Sequence, residues 1–381
     1  MGQNWSPALC QTTGSLMETD IAIIGGGLSG LSLAWHLAKA GRDFQLFEAR
    51  ARLGGRIASL QRVSPVQAPI GPLGYDLGPS WFWPGQHRME RMVQALGCKK
   101  FDQYASGATL IETESGEILR NLGLASMRGA WRLQSGIRGL IDGIAQPLPP
   151  DRLHLNHALS GLHQNGRLIF KEGQEYQAQR IVLALPPRLA AGLSFSPQLT
   201  PAQQQALTGI ATWMGGQAKF VALYDRPFWR EDGLSGDALS QVGPLAEIHD
   251  ASPPQVELNK EAPAALFGFV GLPALARYGQ KEAVTQAALA QLARLFGPKA
   301  AQPVTVAYQD WAQEAYTATP QDQSPLRQHP SYGLPASLQN LWQGRLAFCV
   351  SELAPDAGGY LEGALAAAEE QAELLQREPT K

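Results

Sequence analysis

Residues 20–56, DIAIIGGGLSGLSLAWHLAKAGRDFQLFEARARLGGR, decide the fold. Ile21, Ala22, Ile23 and Ile24 form a short unbroken apolar run, the pattern of a central parallel strand covered on both faces. Gly25, Gly27 and Gly30 follow at GxGxxG spacing. In that motif the first glycine permits a tight turn, the second lets backbone approach a pyrophosphate, and the third lets helix pack on strand. The pattern predicts a helix over residues 28–39, stopped by Gly41, whose free N–H groups and positive dipole end face a diphosphate. A second strand over 44–47 ends in Glu48, an acid able to accept both ribose hydroxyl hydrogens. Such an acid disfavours a 2′-phosphate, so NADP is not the expected ligand. A lone GxGxxG could be a glycine-rich surface loop. Strand, helix and acid in the right order argue against that.

Length and composition set the wider limits. The 381 residues leave room for two domains and a large core. Content of 44% hydrophobic and 17% charged residues describes a globular chain, and a net charge of -2 offers no electrostatic case for nucleic acid or an anionic membrane. No apolar run approaches the ~20 residues that span a bilayer. Residues 1–19 lack the basic start and apolar block of a secretory signal and read as a flexible leader, with Met17 as an alternative start. Cys10, Cys98 and Cys349 are scattered, and the histidines show no ligand spacing. The expectation is a cytoplasmic protein with no metal and no disulfide framework.

A second glycine turn comes soon after Glu48: Leu53, Gly54, Gly55 and Arg56. A large dinucleotide held extended beneath a second pass of chain needs such a turn, with Arg56 neutralising pyrophosphate charge. An ordinary turn with a solvated arginine is the alternative. Near the C-terminus an apolar run over 346–350 leads to Ser351 and Glu352. Gly358, Gly359, Tyr360 and Leu361 then open a helix in which Leu361, Leu365, Ala368, Ala372 and Leu375 share a face. A glycine pair at a helix start favours anions and suits the electron-rich pyrimidine edge of a reduced flavin.

Taken with YDLGPSW (75–81), IVLALPPRLAAGLSFSP (181–197), AKFVALYDRPFW (218–229), GRLAFCVSE (344–352) and GGYLEGAL (358–365), these segments resemble the flavin-containing amine oxidase family, the monoamine and polyamine oxidase group. The resemblance implies an α/β fold in two parts. A discontinuous Rossmann-like FAD-binding domain covers 20–76, 136–199 and 341–381. An α+β substrate-binding domain with an antiparallel or mixed sheet covers 77–135 and 200–340. It also implies FAD contacts from Gly25, Gly27, Leu28, Ser29, Gly30, Glu48, Ala49, Arg50, Gly54, Gly55, Arg56, Gly78, Pro79, Ser80, Trp81, Ser351, Glu352, Gly359, Tyr360 and Leu361, with backbone near Ala158 facing the adenine.

Between these motifs the pattern is plainer. A helix is expected over 137–145, strands over 152–155 and 159–162, and a hairpin turn at Asn165–Gly166. Further helices are expected over 88–96 and 282–296, the second stopped by Gly297 and Pro298. The Pro- and Gly-rich segments 243–263 and 319–335 read as long surface loops.

The chemistry centres on Lys219. By pattern alone it is an edge lysine reaching solvent. The resemblance instead implies a lysine that hydrogen-bonds through water to flavin N5, and desolvation there would lower its pKa. Tyr360 is implied as one wall of an aromatic cage that steers a neutral amine; the plain alternative is a tyrosine packing at a helix start. The second cage tyrosine and the flavin-linking cysteine of monoamine oxidases would fall on Pro320 and Gln321, so the FAD is expected to be non-covalent and the cage half built. Val350 replaces a glycine usual before the Ser/Thr-Glu pair. Trp81, Trp83, Trp311 and Tyr316 are candidate pocket walls, with interdomain core as the alternative. The reading is therefore an FAD-dependent oxidase of a small amine: hydride passes to flavin N5, and O2 reoxidises the flavin with release of H2O2. A C–C or C–N desaturase or dehydrogenase on the same fold, and a non-catalytic flavin sensor or scaffold, are the alternatives.

Overall fold

In the computed structural model the described residues are 17–62, 73–124, 126–254, 263–324, 326 and 328–377. Strand β1 (Met17–Ile24), helix α1 (Leu28–Lys39) and strand β2 (Phe44–Phe47) form the expected unit, with β1 and β2 parallel. Ile21, Ala22 and Ile23 have no exposed surface, as a strand covered on both faces requires. Residues 1–16 of the expected leader lie outside the described residues. Met17, Glu18 and Thr19 are not leader: they extend β1 and pair with Tyr176, Gln177 and Ala178.

Two large sheets organise the molecule. The first has eight strands, ordered Ser194–Ser196, Leu159–His163, Arg167–Phe170, Glu175–Leu183, β1, β2 and Leu153–His154, with Leu346–Phe348 also pairing Glu175–Leu183. The strands Leu346–Phe348, Glu175–Leu183, β1 and β2 run parallel, and their C-terminal ends point to the same rim. Helix α1 and the C-terminal helix Leu361–Arg377 cover one face through Leu31, Leu37, Leu365 and Ala368.

The second sheet has seven strands, ordered Thr305–Asp310, Ala218–Tyr224, Ala264–Val270, Leu245–Asp250, Leu234–Ser240, Ala108–Glu112 and Ile118–Asn121. It is mixed, with one parallel pairing between Leu234–Ser240 and Ala108–Glu112. Helix Lys281–Phe296 packs Val284, Ala288, Leu292 and Leu295 into its core. The segment 243–263 is not all loop, since Leu245–Asp250 is a strand inside this sheet; residues 255–262 lie outside the described residues. Within 319–335, Asp322 is buried and accepts hydrogen bonds from Arg188 and the Thr212 N–H, so part of that segment is anchored inward.

Candidate active site

The rim of the first sheet builds a cradle from backbone. Gly25 turns at φ 116, and a Cβ on Gly30 would lie 2.0 Å from the Gly25 carbonyl oxygen, so α1 reaches the strand only because both are glycine. Helix α1 has no side-chain cap and no acid in its first turn, which leaves its leading N–H groups and dipole facing outward. A Cβ on Gly27 would meet nothing within 4 Å: the helix start is open. Gly54 donates its N–H to the Gly26 carbonyl at 2.7 Å and lays the second glycine turn beside the first. Glu48 is buried, and its two carboxylate oxygens accept the Gly26 N–H at 2.8 Å and the Arg50 N–H at 2.9 Å. That arrangement aims the carboxylate.

Lys219 stands on the second sheet. Its strand is flanked by neighbours on both sides, so the edge-lysine reading does not hold. The side chain is 2% exposed, and Nζ donates to the Gly78 carbonyl at 3.0 Å and the Ser80 hydroxyl at 2.5 Å. It also lies 3.9 Å from the Phe267 ring centroid. Burial pulls its pKa down to about 7, against the raising effect of the Asp76 carboxylate.

One cavity of about 730 Å3 joins the two halves and is lined by Lys219 and all the expected cofactor and pocket residues except Gly30 and Glu352. Those two stand one layer behind. Gly30 serves helix-strand contact, and Glu352, fully buried, holds Arg56 in a two-pronged ion pair at 2.5 and 3.1 Å. Arg56 therefore does not present a free charge to a pyrophosphate. Burial opposes its charge, but Glu352 outweighs burial and raises its pKa.

The aromatic residues are not all where the pattern put them. Trp81 donates its indole N–H to Gln103 at 2.8 Å and meets His249 edge-on at 4.9 Å. Trp311 donates to the Leu77 carbonyl at 2.9 Å and is almost fully buried beside Gly78. Tyr316 departs from expectation: Arg50 and Lys171 lie over its ring, which places it at the Glu48 end of the cavity. Tyr360 meets Trp83 edge-on at 6.3 Å and stacks on His329 at 5.0 Å with 10° between the planes. His329 in turn packs on Trp213 and Tyr332. Pro320 and Gln321 are exposed, so the ring beside Tyr360 is His329 from further along the chain. His329, Trp213 and the cavity-lining Glu247 carried no local sequence signal; only the folded loop and the strand register place them.

The cradle fits an extended dinucleotide: an uncapped helix start, an aimed carboxylate and a second glycine turn, with a buried lysine at the far end. Fold and site together define a flavin-type oxidoreductase. The comparisons with known proteins agree. The family model "Flavin containing amine oxidoreductase" matches residues 101–376, and an "NAD(P)-binding Rossmann-like domain" model matches 23–96. "Probable flavin-containing monoamine oxidase A" of Dictyostelium discoideum is 23% identical, over 91% of this chain and 95% of that protein. An L-amino acid dehydrogenase of Synechocystis is 30% identical, over 53% of this chain and 41% of that one. Among solved structures, putrescine oxidase bound to putrescine (TM-score 0.73, 20% identity) is covered to 100% by 95% of this chain, and Brevibacterium oxydans cyclohexylamine oxidase (0.74, 20%) to 100% by 94%. The chain belongs to the flavin-containing amine oxidoreductase family and is an enzyme that oxidises amines with a flavin.

Proposed function

We propose that this enzyme holds FAD non-covalently and oxidises a small amine to an imine, with O2 as the electron acceptor. The observation that carries the reading is the single cavity joining the α1 cradle and Glu48 to the buried Lys219. The bound flavin supplies the two-electron acceptor. Around it the chain's own residues orient and exclude water. Phe269 and Trp81 give apolar walls, Tyr360 and Trp83 offer ring faces to an entering amine, and Gly78 and Ser80 hold the Lys219 ammonium in place. With a pKa near 7, Lys219 can hold or release a proton at working pH. Non-covalent holding is supported because neither described cysteine, Cys98 or Cys349, lines the cavity. Among the described residues no helix is long and apolar enough to cross a membrane, and these cysteines are free thiols, which supports a cytoplasmic setting.

Anaerobic mixing of the yellow holoenzyme with a panel of amines tests the reading. The oxidised-flavin band near ~450 nm bleaches with an amine and returns on admitting air, with peroxide formed. A band that bleaches with amines but returns only with an added dye acceptor supports the dehydrogenase alternative, which the L-amino acid dehydrogenase relative favours. A band indifferent to every amine rejects the reading.

A further inference from the structure

We propose that Asp76, one layer behind the cavity, is the positioning residue for the charge on Lys219. With Arg132 it forms a buried group of one carboxylate and two cations, in which Lys219 is the member that gives up its proton. The charge balance stands on the fold. Its consequence at the flavin rests on the oxidase reading, and the two are tested apart.

Asp76 closes the strand Leu73–Asp76, and the chain runs straight on to Gly78 and Ser80, the two partners of Lys219 Nζ. Asp76, Arg132 and Lys219 come from three different strands, and each is 2% exposed. Neither Asp76 nor Arg132 lines the cavity. Asp76 Oδ1 accepts the Ser59 hydroxyl and the Ile137 N–H, both at 2.8 Å. Its Oδ2 has no hydrogen-bond partner among the described residues and lies 3.8 Å from the Arg132 guanidinium. Arg132 donates from Nη1 to the Asp250 carbonyl at 3.0 Å. Arg132 and Lys219 both lie over the Phe267 ring, 5.6 and 3.9 Å from its centroid. Two cations thus share one aromatic ring and one carboxylate.

Other charges nearby are matched elsewhere. The Asp250 carboxylate accepts from Trp229 and Arg230, His249 lies between Asp237 and Glu247, and the Tyr75 hydroxyl donates to the Pro263 carbonyl. The group as a whole therefore carries one excess positive charge, which a buried site disfavours. A guanidinium keeps its proton at any working pH, so the proton that leaves comes from Lys219. The pulls on each member agree. After burial, which lowers it, the Lys219 pKa is raised by Asp76 and lowered by Arg132. Burial raises the Asp76 pKa, and Arg132 and Lys219 oppose that rise. The two cations compete for one carboxylate, so removing Asp76 or Arg132 must move Lys219 in opposite directions.

Spectroelectrochemical titration of the flavin in the holoenzyme tests this without turnover. A nearby charge that switches with pH bends the plot of reduction potential against pH. The bend is expected at about pH 7 in the parent and absent in Lys219→Met. Asp76→Asn should move it down by about one pH unit or more, and Arg132→Met should move it up by about as much. Arg132→Lys, which keeps the charge, should stay near the parent. Ser59→Ala should stay there too, since it takes a hydrogen bond from Asp76 but no charge. A merely disturbed fold lowers the melting temperature but does not move the bend in opposite directions. Either charge-removing variant decides alone: a bend left in place, or moved the wrong way, overturns the assignment. The pH midpoint of reoxidation by oxygen should follow the bend in each variant. Reoxidation that does not follow it overturns the consequence at the flavin and leaves the charge balance standing. A parent with no bend overturns both, while bleaching by amines still decides the oxidase reading.

Discussion

Glu48 shows how far one residue can be read and tested. Its place at the tip of the second strand was legible, because an apolar run ending in an acid after GxGxxG has one structural meaning. The two backbone N–H groups that aim its carboxylate were not, since they depend on the path of the turn at Gly26 and Arg50. Glu48→Ala is expected to weaken FAD binding by about 10- to 100-fold, the worth of hydrogen bonds to a charged acceptor. Titrating apoprotein with FAD measures it, and an unchanged Kd would remove Glu48 from the cradle. Tyr316 and Glu247 mark the limit of such reading. An aromatic ring or a lone acid has no address until tertiary contacts supply one: Tyr316 goes to the nucleotide end, and Glu247 joins Lys219 through register across three strands.

Elements were legible where one pattern dominates. The run over 21–24, the α1 stripe and the stripe over 282–296 each have a single period, and each is the expected strand or helix. Strand Leu245–Asp250 was not, because Pro- and Gly-rich flanks surround six residues of which three are acid or histidine. Tertiary pairing on both sides overrides that composition. The helix-strand contact at Gly30 gives a sharp prediction at this scale. Gly30→Ala puts a Cβ against the Gly25 carbonyl oxygen, so α1 must move, at a cost of about 1–3 kcal/mol or more. Urea melts and flavin absorbance should both register the loss; a variant as stable and as yellow as the parent would contradict it. The end of strand Thr305–Asp310 depends on a buried pair, Arg277 to Asp310 at 2.7 and 3.0 Å, and Asp310 also caps the turn that carries Trp311. Arg277→Met strands that carboxylate, and a loss of about 3–5 kcal/mol is expected in the same melts.

At the scale of the whole molecule, the cavity is where distant parts of the chain meet. The Arg56–Glu352 pair ties the second glycine turn to the C-terminal segment, and Lys219 reaches Gly78 and Ser80 from the other sheet. A ligand held across these contacts stabilises them together. FAD at a hundredfold over its Kd should therefore add about 2.7 kcal/mol to the apoprotein's stability, seen as a rise in melting temperature. The central claim is that Lys219 acts on the reduced flavin as a buried cation. Its pKa near 7 means the charge is present below that pH and lost above it. A cation there favours electron transfer to oxygen, where negative charge develops. Stopped-flow measurement of the two half-reactions in parent and Lys219→Met tests this most directly. Reoxidation by oxygen should slow as pH rises through about 7 in the parent, and should be at least about tenfold slower and free of that pH dependence in the variant, with anaerobic reduction little changed. Equal reoxidation rates in the two proteins would contradict the account.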